Sequence, residues 1–541
     1  MNKKVYPFYH TEDIYTLKDF LDLCDKKYAK NVAFSFERKK EIIKKTYHEF
    51  YEEVVKLSNY LIDNNYHEKK IAIIGENSYE WILSYFAIAN TKNVVVPIDK
   101  ELDLESIKRI LGKTGTELLF YSNDYSDYAD EIKKSDLPIK LVNMKDILSS
   151  MINHTVTKKE IQKYKAIKVN PDDEIAIIFT SGTTGDPKGV ILMHKNVTRN
   201  TTSGMKFVEM KNKAVLALPL HHTYAFSCGV LCVMFAGCEN FINRSLKNFS
   251  KDLEEQKPTF ILTVPLVVET FYKRIKKTLE EKKKLSLVKF MIGISNFLRV
   301  FGIDVRRKLF KSILEALGGN LSMIICGGAA LDKKYQIAFD NIGINVLEGY
   351  GITECAPLIA VNCTKYYRFG SAGLPLTCAE VKIDKNPGED VGEILAKGDM
   401  VMKGYYQNEE ATKAVMEDGF FRTGDIGYID KDGFIFITGR KKNVIILSNG
   451  KNVYPEELEF KLLNDDGIQE VVVREDNECI EAEIFPDADY IEKMNVKDVK
   501  EYMQKVVDNF NKSEPLYKNI SKIKIRDTEF PKTTTKKIKR G

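Results

Sequence analysis

Several features that would point to a particular class of protein are missing from these 541 residues. No uncharged apolar run approaches the ~20 residues needed to span a bilayer, and Met1–Tyr9 has no apolar stretch of signal-peptide length. The nine cysteines form no Cys-x-x-Cys pair and have no histidines at metal-ligand spacing, which predicts reduced, mostly buried thiols. A formal charge of +5 is small for this length and gives no argument for nucleic acid binding. We therefore expect a cytoplasmic protein.

What the chain does have is a dense cluster of glycines and hydroxyls at Thr180–Gly189, which reads TSGTTGDPKG. The apolar run Ile175–Phe179 before it predicts a buried strand, so the loop is expected at the carboxyl end of a sheet, where ligands bind. Glycines let backbone N–H groups approach an anion, hydroxyls donate hydrogen bonds, and Lys188 adds a cation. The spacing and Pro187 exclude a Walker A loop. The segment therefore predicts a polyphosphate-binding loop of another kind.

The hydrophobic pattern along the first 370 residues alternates between helix and strand. Residues 11–65 carry helical periodicity, Lys70–Gly75 and Asn93–Pro97 are predicted strands, and Trp81–Ala89 is a predicted helix. Repeated units of this kind predict parallel sheets covered by helices. The fold class is therefore α/β.

The pattern changes after Gly370 to short strands separated by Gly and Asp turns, with a hairpin signal at Lys431–Phe434. The last hundred residues mix predicted strands, at 470–473 and 480–485, with a helix around 496–510. This predicts a large amino-terminal domain, 1–440, with a small β-rich subdomain, and a small α+β carboxyl-terminal domain, 441–541. The boundary is expected near Arg440–Asn443.

Four further motifs follow the loop in a fixed order: EGYGITE at 348–354, FRTGD at 421–425, GRKK at 439–442 and PKTTTKK at 531–537. Together with Thr180–Gly189 they resemble the adenylate-forming superfamily of acyl-CoA synthetases, aryl-CoA ligases, luciferases and the adenylation domains of peptide synthetases. The resemblance covers at least residues 174–538. It implies that the carboxyl-terminal domain is mobile.

The resemblance also implies roles for individual residues. Tyr350 is expected beside the adenine, Asp425 on the ribose hydroxyls, and Glu354 with Thr180 on Mg²⁺, a hard cation that prefers a few carboxylates plus phosphates. The alternatives are structural, because Tyr350 could cap a core and Asp425 could belong to a turn. The full expected nucleotide-binding set is Thr180, Ser181, Gly182, Thr183, Thr184, Lys188, Gly328, Ala329, Glu348, Gly349, Tyr350, Gly351, Thr353, Asp425 and Arg440.

Three residues are expected to be catalytic by the same resemblance: Lys537, His222 and Lys188. Lys537 matches the lysine that reaches the carboxylate and the α-phosphate. Its surroundings are rich in Lys and Arg, and such a tail is ordinarily solvated. Lys536 stands where many relatives have glycine, so Lys536 competes with Lys537 for the role.

The implied reaction uses ATP, Mg²⁺ and coenzyme A to convert a carboxylic acid into a thioester through an acyl-adenylate. Pro219–Phe226 resembles the acyl-pocket motif, with His222 at the position lining the site. No acid lies between Leu218 and Met234 to pair an amino-acid ammonium. The apolar run Gly229–Gly237 suits an aliphatic chain, although a buried helix explains it equally well. Two other hypotheses remain, an acyl carrier protein as the acceptor and a non-catalytic protein on the same fold.

A basic segment at residues 273–311 contains thirteen Lys or Arg and three acids, interleaved with apolar residues. It resembles the corresponding part of long-chain fatty acyl-CoA synthetases more than that of aryl relatives. Basic amphipathic surfaces bind anionic membranes, which would place the protein peripherally on the inner face of the membrane. The alternative is a pair of helices whose apolar faces pack internally.

Overall fold

The computed structural model describes residues 6–151, 154–180, 187–447, 451–476, 479–532 and 538–540. The chain forms two compact units. Unit 1 comprises Met1–Val381 and Ala396–Phe421, and unit 2 comprises Lys382–Leu395 and Arg422–Gly541. No helix among the described residues combines the length and apolarity needed to cross a bilayer.

The strands are β1 Val32–Arg38, β2 Glu41–Thr46, β3 Lys70–Ile74, β4 Val94–Pro97, β5 Leu118–Tyr121, β6 Lys140–Asn143, β7 Glu174–Thr180, β8 Lys188–Met193, β9 Lys213–Leu216, β10 Glu239–Ile242, β11 Phe260–Thr263, β12 Met323–Cys326, β13 Asn345–Gly351, β14 Leu358–Val361, β15 Leu374–Pro375, β16 Ala379–Asp384, β17 Gly392–Gly398, β18 Gly404–Tyr405, β19 Met416–Glu417, β20 Phe420–Ile429, β21 Ile435–Arg440, β22 Ile445–Ile446, β23 Asn452–Val453, β24 Ile468–Asp476, β25 Cys479–Pro486 and β26 Lys522–Ile525.

The α-helices are α1 Leu17–Tyr28, α2 Tyr47–Asp63, α3 Tyr79–Asn90, α4 Leu104–Thr114, α5 Ser126–Lys133, α6 Met144–Met151, α7 Lys158–Ala166, α8 His194–Gly204, α9 Val233–Phe235, α10 Phe249–Gln256, α11 Pro265–Glu281, α12 Leu285–Val300, α13 Arg306–Leu309, α14 Lys311–Glu315, α15 Lys333–Asp340, α16 Glu409–Val415, α17 Pro455–Leu462, α18 Ala488–Lys493 and α19 Val499–Ser513. A π-helix spans Tyr224–Cys232, and 3₁₀ turns include Thr353–Cys355 and Lys441–Asn443.

Unit 1 contains two large sheets. The nine-stranded sheet has the order β15-β14-β13-β12-β11-β9-β10-β1-β2, and the strands from β13 to β1 run parallel. The seven-stranded sheet has the order β18-β8-β7-β4-β3-β5-β6, with β7 to β6 parallel. Both sheets are mostly parallel and packed against helices, so the predicted α/β class is confirmed.

Local sequence signals explain where several of these elements begin and end. Thr46 caps α2 with a capping box, in which its hydroxyl accepts from Glu49 N–H while the Glu49 carboxylate accepts from Thr46 N–H. Helix α4 ends at Gly115, whose φ of 62° lies in the left-handed region that glycine adopts readily. The predicted elements at 70–75, 81–89 and 93–97 are confirmed as β3, α3 and β4.

The expectation of helix throughout residues 11–65 is wrong in its middle. Strands β1 and β2 form an antiparallel hairpin there, and only the flanking segments are helical. Its two turn residues, Lys39 and Lys40, have φ values of 51° and 67°. Such turns are usually marked by Asn-Gly or Asp-Gly, so a Lys-Lys turn gives no hairpin signal in the sequence.

Unit 2 has its own core. The strands β24 and β25 pair antiparallel, β26 joins β25 in parallel, and α17 and α19 pack on this sheet. Leu458, Val471, Ile484 and Val507 are among the fully or nearly fully buried residues of that core. The predicted α+β character of the last hundred residues is confirmed, as is the hairpin at Lys431–Phe434, which joins β20 to β21.

All nine cysteines lie among the described residues, and none of them forms a disulfide. Seven are buried, and Cys378 and Cys479 are partly exposed. Burial raises the pKa of thiols such as Cys24 and Cys326 above the ordinary range, so these side chains act as small apolar groups of the core.

Candidate active site

The ends of the predicted phosphate loop are paired with each other. Thr180 ends β7, Lys188 begins β8, and the two residues are partners across this antiparallel pair. The Thr180 hydroxyl lies 3.4 Å from the carbonyl oxygen of Lys188, to which it donates. Ser181, Gly182, Thr183 and Thr184, which carry most of the predicted anion-binding groups, lie outside the described residues.

Lys188 and Glu354 both contact the side chain of Tyr405. The Lys188 ammonium lies 5.0 Å from the centroid of the Tyr405 ring, and the Tyr405 hydroxyl donates to Glu354 Oε1 at 2.9 Å. Burial, together with the charge of Glu354, raises the pKa of this phenol, so it remains a donor. The arrangement places a cation over the face of one aromatic ring and a carboxylate at the hydroxyl of the same ring.

Backbone pairing fixes this cluster in unit 1. Strand β18 pairs antiparallel with β8, which sets Tyr405 opposite Val190. The Glu354 carbonyl accepts from Met402 N–H at 2.8 Å, so the turn that carries Glu354 is tied to the chain just before β18. Sequence reasoning missed Tyr405, because nothing in its local pattern distinguishes it from the other tyrosines.

The predicted adenine-site residues lie at the carboxyl end of β13. Tyr350 is buried in this strand, between two glycines. A side chain at Gly351 would meet the carbonyl oxygen of Pro357 at 2.0 Å, so only glycine fits there. Thr353 follows in the 3₁₀ turn that contains Glu354.

Glu348 is a buried carboxyl in the middle of β13. Its Oε2 accepts from Leu331 N–H at 3.2 Å. Burial, with a smaller contribution from the charge of Asp332, raises the pKa of Glu348 to about 8. This bond holds the segment after Gly328 and Ala329, two other predicted nucleotide contacts. Gly328 has a φ of 87°, a conformation that glycine adopts without strain.

The predicted acyl motif runs along one wall of unit 1. The Asn77 side chain fixes the start of this motif. Its Nδ2 donates to the Leu218 carbonyl at 2.7 Å, and its Oδ1 accepts from Leu220 N–H at 3.0 Å. The ring centroids of His221 and His222 lie 4.1 Å apart, and His221 Nε2 is 3.3 Å from Asp99 Oδ1. Burial lowers the pKa of His221 well below its ordinary value, so the ring is neutral at physiological pH.

A cavity of about 10 Å³, room for about one water molecule, lies against this motif. His221, His222, Phe226 and Tyr85 contribute to its lining. The centroids of the Phe226 and Tyr85 rings lie 3.7 Å apart. Residues 229–234 of the run Gly229–Gly237 are buried in the π-helix and α9, which corresponds to the buried helix that the sequence left open as an alternative.

In unit 2, Asp425 and Arg440 are brought together by the β20–β21 register. They are partners across the antiparallel pair, and Arg440 Nε lies 2.8 Å from Asp425 Oδ1. The Asp425 N–H donates to the Thr423 hydroxyl at 3.0 Å, and this hydroxyl donates to the Ile394 carbonyl at 2.7 Å. Asp425 is buried, whereas the Arg440 side chain is 42% exposed and has donors available for another anion.

The predicted catalytic residue Lys537 and its neighbour Lys536 lie outside the described residues. The chain on either side of them is fixed to unit 2. Lys532 forms ion pairs with Glu470 and Glu529, and Arg540 forms one with Glu459. Lys532 and Ile538 are joined by an isolated antiparallel bridge.

Among the described residues, no group of three or more His, Cys, Asp or Glu side chains is placed to hold a metal ion. Glu354, the predicted Mg²⁺ ligand, offers one carboxylate, and its Oε2 is not used by the bond to Tyr405. A single carboxylate completed by substrate phosphates is a set that Mg²⁺ accepts. The residues present therefore fit a magnesium ion that binds together with a nucleotide.

Two family models match the chain. The model described as AMP-binding enzyme matches residues 22–406, and that described as AMP-binding enzyme C-terminal domain matches residues 442–541. The chain belongs to the family of AMP-binding enzymes, which confirms the superfamily inferred from the five motifs.

Individual proteins extend this comparison. Long-chain-fatty-acid–CoA ligase FadD15 of Mycobacterium bovis is 28% identical over 430 residues, which cover 75% of this chain and 70% of that protein. Long-chain-fatty-acid–[acyl-carrier-protein] ligase AEE15 of Arabidopsis thaliana is 26% identical over 530 residues, covering 81% and 72%. The crystal structure of ATP-bound MatB from Rhodopseudomonas palustris has a TM-score of 0.75 at 22% identity, covering 96% of each chain. It has the same fold.

Proposed function

We propose that the protein activates a long-chain fatty acid with ATP and transfers the acyl group to coenzyme A. A carboxylate oxygen of the acid attacks the α-phosphorus, the bond to the β-phosphate breaks, and pyrophosphate leaves. The thiol of coenzyme A then attacks the carbonyl carbon of the acyl-adenylate and AMP departs. The products are acyl-CoA, AMP and pyrophosphate.

The arrangement of Lys188 and Glu354 around Tyr405 is the observation that carries this proposal. Joining a carboxylate to a nucleotide brings two anions together and builds negative charge on the leaving pyrophosphate, so positive groups must lie close by. Lys188 supplies one beside the predicted phosphate loop. We assign Glu354 and Thr180 to Mg²⁺, which neutralises phosphate charge when it is bound.

The other predicted residues are assigned roles in the same reaction. Tyr350, with Gly349, Gly351 and the 328–329 segment, forms the adenine side, and Lys537 acts on the α-phosphate. Asp425 and Arg440 bind the ribose and an adjoining oxygen. The paired geometry of these two side chains supports the assignment, because the ion pair sets a carboxylate, which accepts from hydroxyls, beside a guanidinium, which donates to anionic oxygens.

The fatty acid is the substrate suggested by the relatives' names and by the apolar wall around Phe226. The name of the Arabidopsis relative favours a second candidate acceptor, the thiol of an acyl carrier protein. Coenzyme A and carrier protein differ only in the second step. Pyrophosphate release is therefore common to both, and thioester formation separates them.

We also propose that unit 1 makes peripheral contact with anionic membrane through residues 273–311, on the cytoplasmic side. The charge count of this segment supports the contact. We further propose a domain boundary near Arg440–Asn443, which the start of the second family match at residue 442 supports.

The test is an incubation of the full chain with ATP, Mg²⁺ and palmitate, with coenzyme A or carrier protein in separate reactions. We expect pyrophosphate release with palmitate and thioester with one of the two acceptors. Lys188→Ala should slow pyrophosphate release by roughly 100-fold. Lys195→Ala is the matched control, because Lys195 pairs with Asp172 at 2.6 Å and has no part in the site. Absence of palmitate-dependent pyrophosphate release would refute the proposal.

A further inference from the structure

Helix α12 carries apolar side chains on two faces, and one face is exposed. Leu287, Phe290, Ile294, Phe297 and Phe301 recur at intervals of three and four residues, so they form one line along the helix and its carboxyl-terminal cap. They are 54%, 67%, 43%, 65% and 65% exposed, respectively. The Phe297 and Phe301 rings are 5.2 Å apart. We call these five residues the α12 ridge.

The opposite face of α12 is already occupied. Val288, Met291 and Ile292 pack against the core of unit 1, so the helix has its internal partner without using the ridge. Sequence reasoning treated internal packing and an exposed surface as alternatives for this segment. The structure contains both, on opposite sides of one helix.

Ion pairs and hydrogen bonds hold α12 and the following helix, α13, in place. Arg299 and Arg306 each contact Asp340 at 2.8 Å, and Arg307 donates to the carbonyls of Leu321 and Gly319 at 2.8 and 2.9 Å. These three cations of the basic segment therefore stabilise unit 1. The ridge is a fixed feature of the surface, since rotating it inward would break these contacts.

The surroundings of the ridge are positively charged. Lys282, Lys283 and Lys284 are exposed immediately before α12, and Lys289 is exposed within it. No acidic residue occurs from Lys282 to Gly302. An apolar line bordered by lysines and free of acids matches the boundary between acyl chains and anionic headgroups.

We propose that the α12 ridge inserts into the boundary between acyl chains and headgroups of an anionic bilayer. This inference rests on the peripheral contact proposed above and names the element and the mode of binding. Leu287 and Phe301 are separated by about 21 Å of helix, at 1.5 Å per residue, so α12 lies along the membrane surface. The lysines strengthen binding to the bilayer through their charge. Insertion of the ridge adds an apolar contribution to the binding free energy that salt does not screen.

Insertion of the ridge and attraction by charge alone predict different effects of salt on vesicle binding. At about 1 M salt the Debye length falls to ~3 Å, which removes most of the attraction between lysines and headgroups. A protein held only by charge then leaves the vesicle. A protein with an inserted ridge retains measurable binding.

The test uses the full chain with vesicles of phosphatidylcholine containing phosphatidylglycerol. The variants are Phe290→Ser/Phe297→Ser for the ridge and Lys282→Glu/Lys283→Glu/Lys284→Glu for charge. Ile42→Ser is the matched control, because Ile42 is also exposed but lies on β2, the far edge of the nine-stranded sheet. Phe297→Trp reports depth through quenching by brominated lipid, since the chain's one tryptophan, Trp81, is buried.

We expect the ridge variant to lower vesicle binding by roughly 10-fold or more at both salt concentrations and Ile42→Ser to leave vesicle binding unchanged. Brominated lipid should quench the emission of the indole introduced in Phe297→Trp.

Binding that needs the three lysines but neither phenylalanine, with no quenching, would overturn the inference and leave the peripheral contact standing. A wild type that binds no vesicle would overturn both. Self-association abolished by the ridge variant, without vesicle binding, would make the ridge an interface between copies and also overturn the inference. Pyrophosphate release with a soluble medium-chain acid checks that each variant is folded and tests the proposed reaction separately.

Discussion

Replacing Glu348 by glutamine should stabilise unit 1 at neutral and alkaline pH. The carboxyl is buried in the middle of β13, and burial raises its pKa to about 8 from the ordinary 4.5. The N–H of Leu331 donates a hydrogen bond to it at 3.2 Å, and the glutamine oxygen can accept the same bond. The substitution therefore removes the titration and preserves the packing and the bond.

The magnitude follows from the two pKa values. Between pH 4.5 and 8 the folded chain holds this proton and the unfolded chain releases it. The free energy of unfolding therefore falls by about 1.4 kcal/mol per pH unit within that window. Below pH 4.5 both states are protonated and above pH 8 both are ionised, so the slope vanishes. From about pH 5.5 to about pH 7.5 the wild type should lose about 2 to 3 kcal/mol relative to Glu348→Gln.

The assay is urea unfolding at several pH values, followed by the emission of Trp81, which lies in the same unit as Glu348. Comparing variant with wild type cancels other groups that titrate in this range, such as Glu459, whose pKa burial raises to about 7. Glu254→Gln is the control, since Glu254 is exposed on α10. Equal pH dependence in wild type and Glu348→Gln would refute the reasoning.

Three further predictions concern the reaction. Lys537→Ala should slow acyl-adenylate formation by roughly 100- to 1,000-fold while sparing thioester formation from supplied acyl-adenylate, and single-turnover assays of each step decide it; equal loss in both steps, or a larger loss from Lys536→Ala, would contradict the assignment. Glu354→Gln keeps an acceptor for the Tyr405 hydroxyl but loses the charge, so a Mg²⁺ titration of pyrophosphate release should shift to higher concentration, and an unchanged titration would remove Glu354 from the metal site. Asp425→Asn should raise the KM for ATP by roughly 10-fold with a smaller effect on kcat, and an unchanged KM would place Asp425 outside the nucleotide site.

The parts of the fold that the sequence predicts are those with strong local signals. Buried parallel strands such as β3 and β7 are continuous apolar runs, and α3 is an apolar helix of ordinary length. The β1–β2 hairpin was not predicted, because Lys39 and Lys40 adopt the left-handed conformation without the residues that usually mark it. Propensity alone does not reveal a turn that tertiary packing imposes.

The residues of the candidate site likewise divide into those that the sequence predicts and those that it does not. Lys188 and Glu354 belong to motifs that can be recognised in the sequence. Tyr405, by contrast, lies in a two-residue strand with no motif around it. Its position depends on pairing with Val190, which is distant in the chain. The raised pKa of Glu348 likewise depends on burial by residues distant in sequence. Neither could be inferred without the fold.

The nine-stranded sheet of unit 1 ends at β2, and the outer edge of that strand has implications for solubility. An edge strand presents unpaired N–H and C=O groups that can pair with a strand of another molecule. Charged residues occupy this edge: Glu41 and Lys44 are exposed, and Lys45 pairs with Glu53 at 2.6 Å. A lysine is costly to bury between two strands, so the edge discourages addition of a further strand. Sheet growth from one molecule to the next is thereby disfavoured at this edge.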